Sequence, residues 1–319
     1  MKDVLQGNFY HLSALILHVS AATHILSPKN EADPEITSLL ALLDDPDSEV
    51  ADVVSARLRS HGTCLLYPLA EFAKTSCDGI ARERAYTLVR ELNEEVLIGE
   101  FTALRTKIEE KRRGALEDGV FLIARYGYPM LDTEYYRLEL DALAGMLHDR
   151  IKGIHSPLEL LGATNEFFFK TRGFTGNHQN FLEADNSYLN QVLDRRLGIP
   201  ISLAVLYVLV AGHRLGLPFS GVSTPGHFLI RFDGLQSEPI FIDAFNGGVI
   251  LRIEDIKKFL YTAGLPYYDT FIRPASTRTI LLRMLRNLIL LSEETNDSFA
   301  KNAFERFHGI LLGNRSQEQ

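Results

Sequence analysis

The chain has 319 residues, 46% of them hydrophobic, which is enough for two or three compact units around a substantial core and excludes extended disorder. A formal net charge of -8, with 33 Lys and Arg against 41 Asp and Glu, leaves no basic footprint and argues against a nucleic-acid partner. Two cysteines, Cys64 and Cys77, are too few for a disulfide framework and point to a reducing, cytoplasmic setting.

The apolar run LSALILHVSAA at 12–22 contains a histidine and follows no cationic segment, so it reads as an amphipathic helix rather than a signal peptide. No uninterrupted apolar stretch reaches the roughly 20 residues a membrane span needs. From there to about residue 112, apolar positions recur at spacings of three and four, the helical period. Ile36, Leu39, Leu40 and Leu43 form one face, DDPD at 44–47 stops that helix, and Ser48 is the expected cap of the next. A second pair is read from Leu65 to Lys74 and from Gly79 to Leu97. Two such pairs resemble HEAT-type repeats, and the alternative is an irregular helical cap. Both cysteines fall in this region and are expected as core thiols.

The charged segment KIEEKRRG at 107–114 is the expected domain boundary, giving a helical region over 1–112. GVFLIARYGYPMLDTEYYRLELDALAGMLHDRI then reads as two helices broken at Tyr128-Pro129, because a residue before proline disfavours helix. A third helix ends at Gly173, and Gly173 and Gly176 frame a loop rich in turn formers. Gly198 and Pro200 stand at the start of ISLAVLYVLVAGHRLG, apolar on nearly all sides and so expected through the centre of a domain. FSGVST, HFLIRF, PIFIDAF and GVIL supply short strands separated by Pro-Gly, Asp-Gly and Gly-Gly turns. IEDIKKFLYTAG returns to helix, and the tail reads as a helical hairpin turning near Asn296. The fold class is α+β and predominantly helical: a buried helix packed on a small antiparallel sheet, with a central domain over 113–275 and a helical hairpin over 276–319.

Three residues of this central region can carry chemistry. Ser202 lies in the first turn of the buried helix, where free N–H groups and the positive end of the helix dipole favour a developing negative charge. As a nucleophile it needs a general base; the alternative is a hydroxyl that only satisfies backbone donors. His227 follows the Pro225-Gly226 turn at the head of one strand, and Asp243 lies at the matching place on another. An aspartate bonded to one ring nitrogen fixes the tautomer and leaves the other free to face a nucleophile; the alternative is a His-Asp pair that ties two strands together. Asn186, Asn190 and Gln191 precede the helix and are candidate oxyanion donors or loop braces. Arg195 and Arg196 are candidate carboxylate binders or ion pairs. His178 and His213 show no metal-ligand spacing, and FNGG lacks the Lys-Ser/Thr pair of a phosphate loop, so neither a metal nor another cofactor is expected.

Together GVFLIARYGYPMLDTEYYRLELDALA, FFFKTRGFTGN, NSYLNQVLDRRLGIPISLAVLY, PGHFLIRF and FIDAFNGG resemble the SirB-type branch of the transglutaminase-like superfamily. The tail RMLRNLILL is similar to the start of tetratricopeptide-type helices, so the resemblance covers residues 119 to 312. It implies a papain-like fold and assigns His227 and Asp243 to the His and Asp of a Cys-His-Asp triad. At the start of the core helix, where active members carry cysteine, the nearest candidate here is Ser202. Three readings follow. The expected one is a cytoplasmic protein-binding or peptide-binding regulatory module without the usual cysteine, having a protein or peptide partner and neither nucleic acid nor membrane. The alternative is a hydrolase or acyltransferase acting on amide, isopeptide or ester bonds through Ser202, His227 and Asp243. The third is a helical adaptor whose core only joins two arms.

Overall fold

The structure is a computed structural model that describes residues 33–235 and 238–313. The apolar run at 12–22 lies outside the described residues.

The chain forms two compact units, the first extending to Glu100 and including Arg125–Asp132. Within it, α1 (Pro34–Ala41) starts on Asp33, whose side chain accepts from Glu35 N, with Pro34 supplying a helix-ready φ at the first position. Helix α2 (Ser48–Ser60) is capped by Asp47 rather than by Ser48: Asp47 is extended, with φ -77° and ψ 116°, and its Oδ1 accepts from Glu49 N at 2.9 Å. An expected consequence is that Asp47→Ala lowers the stability of this unit by about 1 kcal/mol, measurable by urea unfolding. Helix α3 (Leu66–Thr75) follows a single 3₁₀ turn, Gly62–Leu65. Leu43, Leu58, Leu65, Leu69, Ala85 and Leu88 join in one buried cluster.

Cys64 and Cys77 are not core thiols; both are exposed. In the 3₁₀ turn it is Leu65 that enters the core, while Cys64 Sγ contacts His61 O at 3.1 Å; Cys77 sits in the turn before α4. Helix α4 (Gly79–Glu109) runs twelve residues past the expected end at Leu97. Phe101 and Leu104 continue its buried stripe, and no proline or left-handed glycine interrupts it before Gly114.

The second unit comprises Phe101–Ala124 and the chain from Thr133 onward. Helices α5 (Ala115–Gly127) and α6 (Thr133–Ile151) flank the expected break at Pro129. Helix α7 (Pro157–Glu166) widens into a π turn at Phe167–Thr171. After the short α8 (Leu189–Arg195), the core helix α9 (Pro200–Tyr207) begins with proline and continues as a π turn through Arg214. Every side chain from Ile201 to Ala211 is buried. The far end of this helix is held by charge: Arg214 and Arg137 both bind Glu117 of α5, and Arg214 also binds Asp141 of α6.

Two strands, β1 (Thr175–Gly176) and β2 (Leu197–Gly198), pair in parallel beside the start of the core helix. The main sheet is antiparallel in the order β3 (Phe219–Thr224), β4 (His227–Phe232), β5 (Ile240–Asp243), β6 (Val249–Leu251). Its first hairpin pairs Thr224 with His227 across Pro225-Gly226, where proline presets one φ and Gly226 takes φ 72°. Strand alternation gives the sheet two distinct faces. On one, Phe219 packs on Phe232 at 4.9 Å and on Tyr207 of the core helix at 5.0 Å, centroid to centroid. On the other, Val222, Leu229 and Phe241 pack with Ile256 and Leu260 of α10 (Ile253–Thr262). The hairpin of α11 (Thr277–Glu294) and α12 (Ser298–Leu312) completes the unit, turning at Asn296 with φ 56°. Phe307 of α12 stacks on Phe101 at 4.5 Å. The architecture is α+β with a small sheet in a largely helical chain. Among the described residues, no helix is long and apolar enough to cross a membrane.

Candidate functional site

His227 owes its place to the tight hairpin, which sets it at the first position of β4 and on the face it shares with Leu229. Asp243 ends β5 on that same face, two residues after Phe241. The two side chains meet: Asp243 Oδ2 stands 2.9 Å from His227 Nε2, within ion-pair distance but off the line of the ring N–H bond. The carboxylate is held mainly by the turn that follows it. Oδ1 accepts from Phe245 N at 3.1 Å and Asn246 N at 3.2 Å, and Oδ2 accepts from Asn246 Nδ2 at 2.7 Å. Burial pushes the Asp243 carboxyl up, but the pull of His227 and Asn246 outweighs it and leaves the group below the usual aspartate range. Its stabilising contribution is therefore complete above the ordinary aspartate pKa and disappears as pH falls through the lowered one.

A cleft of about 260 Å³ opens at this pair. Thr224, Asn246 and Asp255 give it polar edges, and Leu229, Leu251, Ile256 and Phe259 give it apolar walls. Asn246 is a site residue that the sequence reading passed over. Its signal was present in the Asp-x-x-Asn-Gly-Gly spacing, where a side-chain turn precedes two glycines of positive φ, Gly247 and Gly248. Arg283 of α11 was also passed over. Its Nη1 donates to Thr224 O at 2.7 Å and Ser223 Oγ at 2.8 Å, and its guanidinium lies over the Phe228 ring, clamping the hairpin that carries His227. Burial lowers the pKa of that guanidinium.

Ser202 stands elsewhere. Its hydroxyl donates to Asn186 O at 2.6 Å, with Ile199 O at 3.1 Å, and accepts from Ile199 N at 3.0 Å. It closes the first turn of the core helix as a capping serine does. Gly198 permits this, since a Cβ there would lie 2.7 Å from Ser202 Oγ. The core helix packs on the face of the sheet that bears Phe219 and Phe232, whereas His227 and Asp243 lie on the α10 face. Among the described residues, no hydrogen bond joins Ser202 to His227, and Ser202 does not line the cleft. The structure brings His227 and Asp243 together and sets Ser202 apart from them.

Asn186 is fully buried as a loop brace: its Nδ2 donates to Asn180 O at 2.7 Å, and its Oδ1 accepts from Asn177 Nδ2 at 3.0 Å. Asn190 and Gln191 are buried on α8, where Asn190 Oδ1 and Gln191 Nε2 lack hydrogen-bond partners; neither residue lines the cleft. Arg195 pairs with Glu183 and Asp185, while Arg196 ends α8 in the left-handed region at φ 59°. His178 lies against the Phe245 ring at 4.3 Å, and burial lowers the pKa of His213. Among the described residues, no group of three or more His, Cys, Asp or Glu side chains is placed to hold a metal ion.

Residues 134–286 match the family model of the transglutaminase-like superfamily. A UPF0162 protein of Xylella fastidiosa (strain 9a5c) is 38% identical over 213 residues, covering 64% of this chain and 73% of the relative. Protein SirB1 of Salmonella typhimurium is 28% identical over 138 residues, covering 43% of this chain and 51% of that protein. The chain belongs to the SirB-type transglutaminase-like family. The SirB-type region is also similar to F-box only protein 21 of Homo sapiens, 27% identical over 205 residues, covering 55% of this chain and 32% of that one. No solved structure matches this SirB-type chain.

Proposed function

We propose that this chain is a SirB-type module that binds a protein or peptide segment at the His227–Asp243 cleft, serves a regulatory role in the cytoplasm, and performs no acyl transfer through Ser202. The observation that carries the reading is the state of the Ser202 hydroxyl, committed to Asn186 and Ile199 and located away from the cleft. A serine nucleophile needs its proton within reach of a general base, about 3 Å from the imidazole, and here that proton is directed at a carbonyl. The cleft itself suits recognition, with apolar walls and a few polar groups that fix orientation. Two free cysteines with no disulfide between them support a reducing compartment.

Fluorophosphonate labelling tests the reading. The native chain is expected to take up no label at Ser202 and to hydrolyse p-nitrophenyl acetate no faster than Ser202→Ala. Stoichiometric labelling of Ser202 that disappears in His227→Ala would overturn the proposal and make the chain a serine hydrolase.

A further inference from the structure

The cleft opens beside the last strand of the main sheet. Among the described residues, β6 pairs with β5 on one side and with no strand on the other, so its outer edge offers backbone hydrogen-bonding groups. Val249 and Ile250 on that edge are 49% and 46% exposed. A free edge with exposed apolar residues is suited to strand addition by an extended segment. Register directs such a segment towards the site: Val249 pairs with Asp243, Leu251 pairs with Phe241, and Leu251 forms one wall of the cleft. Alternate side chains of an added strand would fall on the α10 face, the face that bears Asp243 and the cleft.

Charge selects which side chain that is. Asp243 and Asp255 both face the cleft, and among the described residues neither pairs with a lysine or arginine. Asp255 accepts from Arg252 N at 2.8 Å through Oδ2, a bond that does not neutralise it. Leu251, Ile256 and Phe259 line the path to these carboxylates with apolar surface. A side chain with an apolar stem and a cationic head matches this arrangement along its whole length, whereas an acidic one would meet two like charges. Building on the binding role above, we propose that an extended segment pairs with the outer edge of β6 and inserts a lysine or arginine side chain into the cleft towards Asp255 and Asp243.

The test uses the full chain immobilised on resin and four pools of eight-residue peptides, randomised except for one central position fixed as lysine, arginine, glutamate or norleucine. The basic pools are expected to be retained about tenfold more than the glutamate pool and several-fold more than the norleucine pool. Asp255→Asn, which keeps the acceptor for Arg252 N, is expected to erase most of the basic preference. N-methylation of alternate backbone amides in the best sequence is expected to abolish retention. Equal retention of the basic and glutamate pools, or indifference to N-methylation, would overturn the inference. Either result in a chain that takes no fluorophosphonate label removes this inference alone, whereas labelling at Ser202 removes the binding-only reading.

Discussion

Ser202→Ala is expected to lower the unfolding free energy by about 1–3 kcal/mol while leaving binding at the cleft intact. The hydroxyl serves three backbone groups at once: it donates to Asn186 O, lies 3.1 Å from Ile199 O, and accepts from Ile199 N, all in an environment where Ser202 is 1% exposed. Alanine removes the hydroxyl and leaves Asn186 O and Ile199 N with only the long bond they make to each other, at 3.3 Å. Under-satisfied groups in a buried site cost free energy, because water does not reach them to replace the hydroxyl. Denaturant unfolding reads the effect as a lower midpoint at unchanged slope. A variant of native stability that had lost its function would point instead to a chemical role for the hydroxyl.

Gly176→Ala is expected to be as damaging by a steric route. A Cβ at this position would lie 2.5 Å from Phe245 O and 2.5 Å from the Phe245 ring. The ring can turn, but the carbonyl cannot, because it accepts from Gly176 N and belongs to the turn that holds Asp243. Forcing the two chains apart costs about 1–3 kcal/mol, as overpacking in a closed core does. The displacement would pass through Phe245 N to the Asp243 carboxylate. Cleft binding is therefore expected to fall together with thermal stability, in contrast to Ser202→Ala, where stability falls alone.

Much of the fold was legible because its signals are local. Pro200 at the first turn, the unbroken apolar run behind it, and the four short β-rich segments each state their own conformation. The end of α4 was not legible, since the charged residues after Leu97 mask a stripe that Phe101 and Leu104 continue. The exposure of the two cysteines was equally hidden, being decided by which residue of a turn enters the core. At the site, Pro225-Gly226 announces His227 at the head of β4, while its meeting with Asp243 follows from the separate pairing of β4 with β5. What linear order could not convey is which face of the sheet each residue occupies. Ser202, His227 and Asp243 succeed one another as a triad would, yet the hydroxyl is bonded to Asn186 and Ile199 on the helix that packs against Phe219, and the imidazole lines the cleft with Leu229 and Ile256.

That two-sided sheet bears on how acyl chemistry could be gained in such a scaffold. Exchanging Ser202 for cysteine would place a thiol in the same backbone cage, above the wrong surface of β4, and selection acting on that codon alone would find no gradient to climb. Moving the imidazole across would require β4 to slip by one residue, which would carry Phe228, Ile230 and Phe232 out of the core along with it. A directed-evolution campaign has a shorter path on the α10 side, at positions such as Thr224 or Asn246, where a new nucleophile would begin life already facing His227.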